Sequence, residues 1–269
     1  MEYTFGRLGG IPMNEVLISI LIPFAGTTLG AACVFFMRQD MNRMVQHSLL
    51  GFAGGVMTAA SVWSLIIPAM EQSAAMGKWS FLPAFVGVWL GMMFLLILDK
   101  IIPHLHVNSE EQEGPAIRLP KSAMMVFAVI LHNIPEGMAV GVAFGALAVG
   151  QTAEAVGAVM LAIGIGIQNF PEGMCVAFPL RSNGISKAKS FFIGQLSGAV
   201  EIVAGVIGAL AVTAVSGILP WALSFSAGAM VAVVCSELIP ESFSQGKVRA
   251  TVGVIFGFAI MMILDLAFG

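Results

Sequence analysis

Long apolar stretches separated by short polar breaks run along the whole chain. A helix that crosses a bilayer needs about 20 such residues. The pattern predicts eight helices, over residues 15–37, 44–70, 81–102, 121–148, 153–180, 189–214, 219–243 and 248–268. The faintest break is the sixth, Val215-Ser216-Gly217-Ile218-Leu219-Pro220, where the Ser-Gly pair and the proline mark the turn. The longest polar insert is 104–120, which carries His104, His106, Glu110, Glu111 and Glu113.

Composition strengthens this reading. Of 269 residues, 58% are hydrophobic and only 10% charged, against about 25% charged in an ordinary soluble domain. So few charges cannot cover a soluble fold of this length. The fold class expected is therefore an all-α polytopic membrane protein of eight transmembrane helices. A disulfide scaffold, a basic nucleic-acid binder and a disordered chain are excluded. Cys33, Cys175 and Cys235 lie in apolar runs without CxxC spacing and read as small core residues. The first apolar run is long enough to span, so no cleavable signal peptide is expected.

Eight spans put both termini on one side. The loops on the other side hold Arg38, Arg43, Lys100, Arg118, Lys121, Arg181, Lys187, Lys189, Lys247 and Arg249, while the terminal side holds only Arg7 and Lys78. The positive-inside rule then places both termini outside the cytoplasm and the 104–120 loop within it. A cell (inner) membrane is the expected location.

The third and eighth helices share a Gly-Val-x-x-Gly run and an Ile-Leu-Asp ending: Gly87, Val88, Gly91, Ile97, Leu98 and Asp99 against Gly253, Val254, Gly257, Ile263, Leu264 and Asp265. The second helix ends Ser64-Leu65-Ile66-Ile67-Pro68 and the seventh Ser236-Glu237-Leu238-Ile239-Pro240. In the expected topology these pairs run in opposite directions. Helices 1–3 and 6–8 thus form an inverted repeat, as in many transporters, and helices four and five are left as a central pair.

The central pair carries the chemistry. Leu131-His132-Asn133-Ile134-Pro135-Glu136-Gly137-Met138 on helix four is echoed 36 residues later by Ile167-Gln168-Asn169-Phe170-Pro171-Glu172-Gly173-Met174 on helix five. Ionisable groups at this depth cost about 2.5–3.5 kcal/mol each on insertion scales, so they need partners or a wet cavity. His132 and Glu136 are four residues apart and share a helix face, as do Gln168 and Glu172. Each proline removes an N–H and frees the carbonyl four residues earlier. Imidazole, carboxylate and free carbonyl on one face suit a cation. The donor mix suits a divalent metal such as Zn²⁺, with Fe²⁺, Mn²⁺, Co²⁺ and Cd²⁺ unranked. At about 1.5 Å per residue, His132, Glu136, Glu172, Glu201 and Glu237 all lie about 13–22 Å from the cytoplasmic helix ends, in one slab near the midplane. Asp265 and Glu71 sit at the outer ends, where cations would enter. Asp99, His104 and His106 sit at the inner end, where they would leave.

The paired HNxPEG and QNxPEG blocks, with the eight spans and the long third loop, resemble the ZIP (Zrt-, Irt-like protein) family of divalent-metal transporters, in its prokaryotic GufA-like branch. The resemblance covers essentially the whole chain. It implies a three-plus-two-plus-three bundle, metal bound between helices four and five, and elevator-like movement of one helix group against the other. It implies His132, Asn133 and Glu136 as donors from helix four, Gln168, Asn169 and Glu172 from helix five, Glu201 from helix six where two ions bind, and Met57 as a thioether from helix two. One or two ions would then occupy the site, with Glu136 and Glu172 bridging a pair. Some relatives have Asp in place of Asn169, so this chain lacks one charge at the second site. Some have His in place of Ser236, so ligation there is in doubt.

The function expected is zinc uptake into the cytoplasm, with no prosthetic group and no enzymatic reaction. The partners expected are the lipid bilayer and the metal ion, with a homodimer as the oligomer to consider. A gated cation channel using the same site is the alternative. An intramembrane metalloenzyme is a weaker one, since the chain has no HExxH and His132 is followed by Asn133. The bland reading of Asn133, Gln168 and Asn169 is interhelical hydrogen bonding, and that of Met57 is gap filling.

Overall fold

A computed structural model describes residues 7–8, 11–37, 42–105, 114–116, 119–150, 155–244 and 246–268. Among these, eight helices are long and apolar enough to cross a membrane: α1 (Leu17–Phe35), α2 (Met44–Gln72), α3 (Phe81–Ile101), α4 (Ala123–Ala148), α5 (Ala155–Ser182), α6 (Lys187–Ala214), α7 (Leu219–Phe243) and α8 (Lys247–Phe268). The chain is an all-α, multi-pass membrane protein. A two-residue antiparallel pair, Arg7–Leu8 with Ile11–Pro12, precedes α1.

Local chemistry explains several helix starts. Asn42 accepts a hydrogen bond from the backbone N–H of Met44 at 2.8 Å and caps α2. Ser186 accepts one from the N–H of Lys189 and caps α6. Pro220 sits in the first turn of α7, where its missing N–H costs nothing.

The helices pack as two groups of four. In one, α4 lies along α6 and α1 along α5; in the other, α2 lies along α8 and α3 along α7. The groups meet where α5 touches α2 and α4 touches α7. Exchanging α1 with α6, α2 with α7, α3 with α8 and α4 with α5 leaves every one of these partnerships unchanged. The repeated glycines Gly87, Gly91, Gly253 and Gly257 all sit at backbone crossings, Gly87 and Gly91 against α7 and Gly253 and Gly257 against α2.

The repeat also has a local signature. α2 contains a π-helical turn at Ser61–Ile66, and α7 contains one at Val234–Leu238. Pro68 and Pro240 follow, and each lacks the N–H that would bond the carbonyl four residues back, at Ser64 and Ser236. The matched motif endings thus give matched helix defects. A π turn inserts one extra residue and re-aims the side chains beyond it.

Burial follows the grouping. α2, α4, α5 and α7 are the most buried spans and α3 and α8 the least. Phe85, Trp89 and Leu90 of α3 and Ile255 and Phe256 of α8 are exposed. Exposed apolar side chains on spanning helices fit contact with lipid.

Candidate metal centre

α4 and α5 run unbroken through Pro135 and Pro171. The glycine after each block glutamate lets a neighbouring helix come close. A Cβ on Gly137 would meet the Glu201 carbonyl at 2.3 Å, so α6 lies against α4 beside Glu136. A Cβ on Gly173 would meet the Thr27 carbonyl at 2.2 Å, so α1 lies against α5 beside Glu172. The two Pro-Glu-Gly blocks therefore bring in Glu201 and Thr27 as equivalent neighbours.

His132, Asn133, Glu136, Gln168, Asn169, Glu172, Glu201 and Glu237 are all buried. Gln168 donates from Nε2 to Glu136 Oε1 at 2.5 Å, joining α5 to α4. Asn133 donates to the Ser197 carbonyl of α6 at 3.1 Å, and Asn169 to the Pro23 carbonyl of α1 at 3.4 Å. Thr27 donates to Glu201 Oε1 at 3.0 Å. His132 pairs through Nε2 with Glu237 of α7. Sharing a face by spacing therefore does not make His132 and Glu136 partners.

These bonds leave a pattern. Asn133 thus anchors its amide N–H on the α6 backbone and Asn169 on the α1 backbone, and Asn169 Oδ1 also accepts from Gln168 at 3.5 Å. Within this cluster six buried oxygens have no hydrogen-bond partner: Asn133 Oδ1, Glu136 Oε2, Gln168 Oε1, both oxygens of Glu172, and Glu201 Oε2. A buried acceptor left unsatisfied costs about 1–3 kcal/mol, so such groups call for an explanation. Glu172 lies within electrostatic reach of Glu136, Glu201 and His132. No Lys or Arg occurs between Lys121 and Arg181, across the length of α4 and α5. His132 is thus the one basic side chain that the central blocks themselves place among these oxygens.

Among the described residues, no three His, Cys, Asp or Glu side chains stand ready as a metal cage. The bonding accounts for this. His132 is engaged by Glu237, Glu136 by Gln168 and Glu201 by Thr27, so a metal would have to displace those bonds.

A cavity of about 40 Å³ adjoins the cluster, larger than the roughly 10–15 Å³ one water requires. His132 and Glu172 line it, with Cys175, Gln46, Glu241 and Leu238. Gln46 is near the start of α2, while Cys175 and Glu241 are in the last two turns of α5 and α7. The cavity therefore lies toward the face that carries most of the basic residues.

The remaining expected residues are placed elsewhere. Met57 is fully buried in the apolar core with Met230 and Leu238 and does not line the cavity. Ser236 is exposed and donates to the Ala232 carbonyl at 2.7 Å. Asp265 accepts a bond from Ser64 in the α2 π turn at 2.8 Å, and Glu71 is exposed. His104, expected at the inner end, is fully buried. Its Nδ1–H donates to the Ile102 carbonyl at 2.8 Å and its Nε2 lies 3.0 Å from Asp99. That pair closes the end of α3 and does not line the cavity. His106, with Glu110, Glu111 and Glu113, lies outside the described residues.

Sequence reasoning missed Thr27, Cys175, Gln46, His47 and Glu241. Glu241 is one helical turn beyond Glu237, and that spacing was the available signal. His47 is buried, and its Nδ1–H donates to the Glu241 carbonyl at 2.9 Å, fixing α2 to α7. Thr27 had no signal of its own, because its role depends on a glutamate 174 residues away.

Buried carboxylates, amides and an imidazole are thus gathered among the spanning helices of a polytopic membrane protein. The family model for the ZIP zinc transporter matches residues 108–265, which is more than half of the chain. Similar proteins include the zinc transporter ZIP11 of Homo sapiens, 36% identical over 95% of this chain and 97% of its own length. The zinc transporter GufA of Myxococcus xanthus is 36% identical over 96% of this chain and all of its own. The zinc transporter ZIPB of Bordetella bronchiseptica is 36% identical over 91% of this chain and 79% of its own. The chain belongs to the ZIP family.

Proposed function

We propose that this protein carries zinc and related divalent cations across the cell (inner) membrane into the cytoplasm, binding them between α4 and α5. The observation that carries this reading is the set of six unpartnered buried oxygens on α4, α5 and α6. His132 supplies a nitrogen donor, Glu136 and Glu172 supply the charge, and Asn133, Gln168 and Asn169 supply neutral oxygen. Glu201 extends the set toward a second ion, with Glu136 and Glu172 between the two. Mixed nitrogen and oxygen donors suit Zn²⁺ and its neighbours among the divalent metals.

The direction of transport rests on the basic loops and the cavity. The positive-inside rule makes the Lys- and Arg-bearing face cytoplasmic, with both termini outside. The cavity beside His132 and Glu172 reaches toward that face, so this conformation has its donors turned inward. The two four-helix groups meet mainly through α2 with α5 and α4 with α7. Movement of the α1, α4, α5 and α6 group against the other would carry the donors between the two sides. The exchange symmetry supports a second state of similar packing.

Radiozinc uptake into proteoliposomes of known protein orientation tests the proposal. Saturable uptake, with zinc accumulating on the side of the basic loops, is expected. Conductance that rises linearly with voltage and does not saturate would indicate a channel instead. Absence of zinc flux in well-folded protein would overturn the reading.

A further inference from the structure

We propose that Cys175 is a metal ligand on the release side of the centre, where it joins His132 and Glu172 and biases the carrier toward thiophilic divalent cations. The proposal rests on the reading of His132 and Glu172 as donors given above.

Cys175 lies three residues beyond Glu172 on α5, so the two share a helix face. Both line the same cavity, and His132 faces it from α4. Glu172 is only 6% exposed, and neither of its oxygens has a hydrogen-bond partner. Cys175 is a free cysteine, also 6% exposed. It is deeply buried, but on one side it meets a cavity that it shares with His132, Glu172 and Glu241. The other two cysteines differ. Cys33 donates to the Leu29 carbonyl within its own helix, and Cys235 is exposed on α7.

The order of the donors along the helix sets the role. Cys175 is about 4.5 Å further along α5 than Glu172, toward Arg181 and the basic face. An ion leaving Glu172 in that direction meets the sulfur next. As the metal–sulfur bond forms, the thiol proton passes to water in the cavity, since the ligand is the thiolate. Sulfur beside imidazole and carboxylate favours Cd²⁺ and Zn²⁺ over the harder Mn²⁺.

Two measurements test this. In protein carrying C33S and C235S, Cd²⁺ should produce an ultraviolet thiolate-to-metal charge-transfer band that is lost in C175S. In proteoliposomes, Cys175→Ser and Cys175→Ala should lower the ratio of Cd²⁺ to Mn²⁺ uptake by about tenfold or more, since even losing an outer-shell partner of a ligand costs about 10–100-fold in metal affinity. An absent band in protein that still takes up Cd²⁺ would overturn the assignment, as would an unchanged uptake ratio in both variants. Uptake that survives Glu136→Ala and Glu172→Ala would instead remove the underlying site, so the two failures are distinguishable.

Discussion

Alanine at Glu136 or Glu172 is expected to reduce zinc uptake by about a hundredfold or more, while the protein still reaches the membrane with its helices intact. The expected change in stability has the opposite sign. Each of these carboxyls is buried with at least one oxygen unpartnered, and no Lys or Arg lies on either central helix between Lys121 and Arg181. A charged side chain at this depth costs about 2.5–3.5 kcal/mol on insertion scales. Its removal should leave the unfolding temperature unchanged or raise it. A purely structural carboxylate would behave the other way, since breaking a satisfied buried pair is strongly destabilising. Radiozinc uptake and thermal unfolding of the same preparations separate the cases. Glu136→Gln keeps the shape and should still lose most uptake, because the charge is what holds the ion. Normal uptake in both alanine variants would refute the site.

Replacing Glu237 with alanine is the second large effect. Glu237 pairs with His132 across α4 and α7. A metal that takes His132 Nε2 must displace Glu237, so the pair competes with metal binding. A hydrogen bond to a charged group contributes about 1.5–3 kcal/mol, or roughly 10–100-fold in an equilibrium constant. Glu237→Ala should therefore tighten zinc binding by about tenfold or more and slow turnover, since release loses its competitor. Equilibrium zinc binding and the maximal uptake rate read the two parts separately. Weaker binding in the variant would mean that Glu237 is itself a ligand.

Much of this was legible in the sequence for physical reasons. Spanning helices must satisfy their backbone internally and present apolar side chains to lipid, so hydropathy alone marks them. The repeat was legible because Gly87, Gly91, Gly253 and Gly257 are held by backbone crossings that admit no side chain. The endings at Pro68 and Pro240 were visible as matched motifs, though not as π turns, because a π turn is decided by packing around the lost hydrogen bond. The duplicated central block stood out because buried ionisable groups are too costly to recur by accident.

What stayed hidden was partnership. His132 and Glu136 share a face by spacing, yet the structure engages one with α7 and the other with α5. Helical periodicity gives the face and not the neighbour across it. Cys175 looked like one more small apolar residue until the cavity put Glu172 and His132 around it. Asp99 and His104 looked like an inner metal station because both are ligand types at a helix end. They stand side by side instead, 3.0 Å apart, and the fold buries the histidine completely. The glycines of the two Pro-Glu-Gly blocks had no evident role in the sequence. In the structure they are what let α6 and α1 approach closely enough to bring Glu201 and Thr27 to the centre.

Anomalous diffraction from crystals soaked in Zn²⁺ or Cd²⁺ locates the ion directly. A peak between α4 and α5, at bonding distance from His132 or Gln168 and from Glu136 and Glu172, is the predicted result. A peak confined to the helix ends, with none of these four side chains near it, would contradict it.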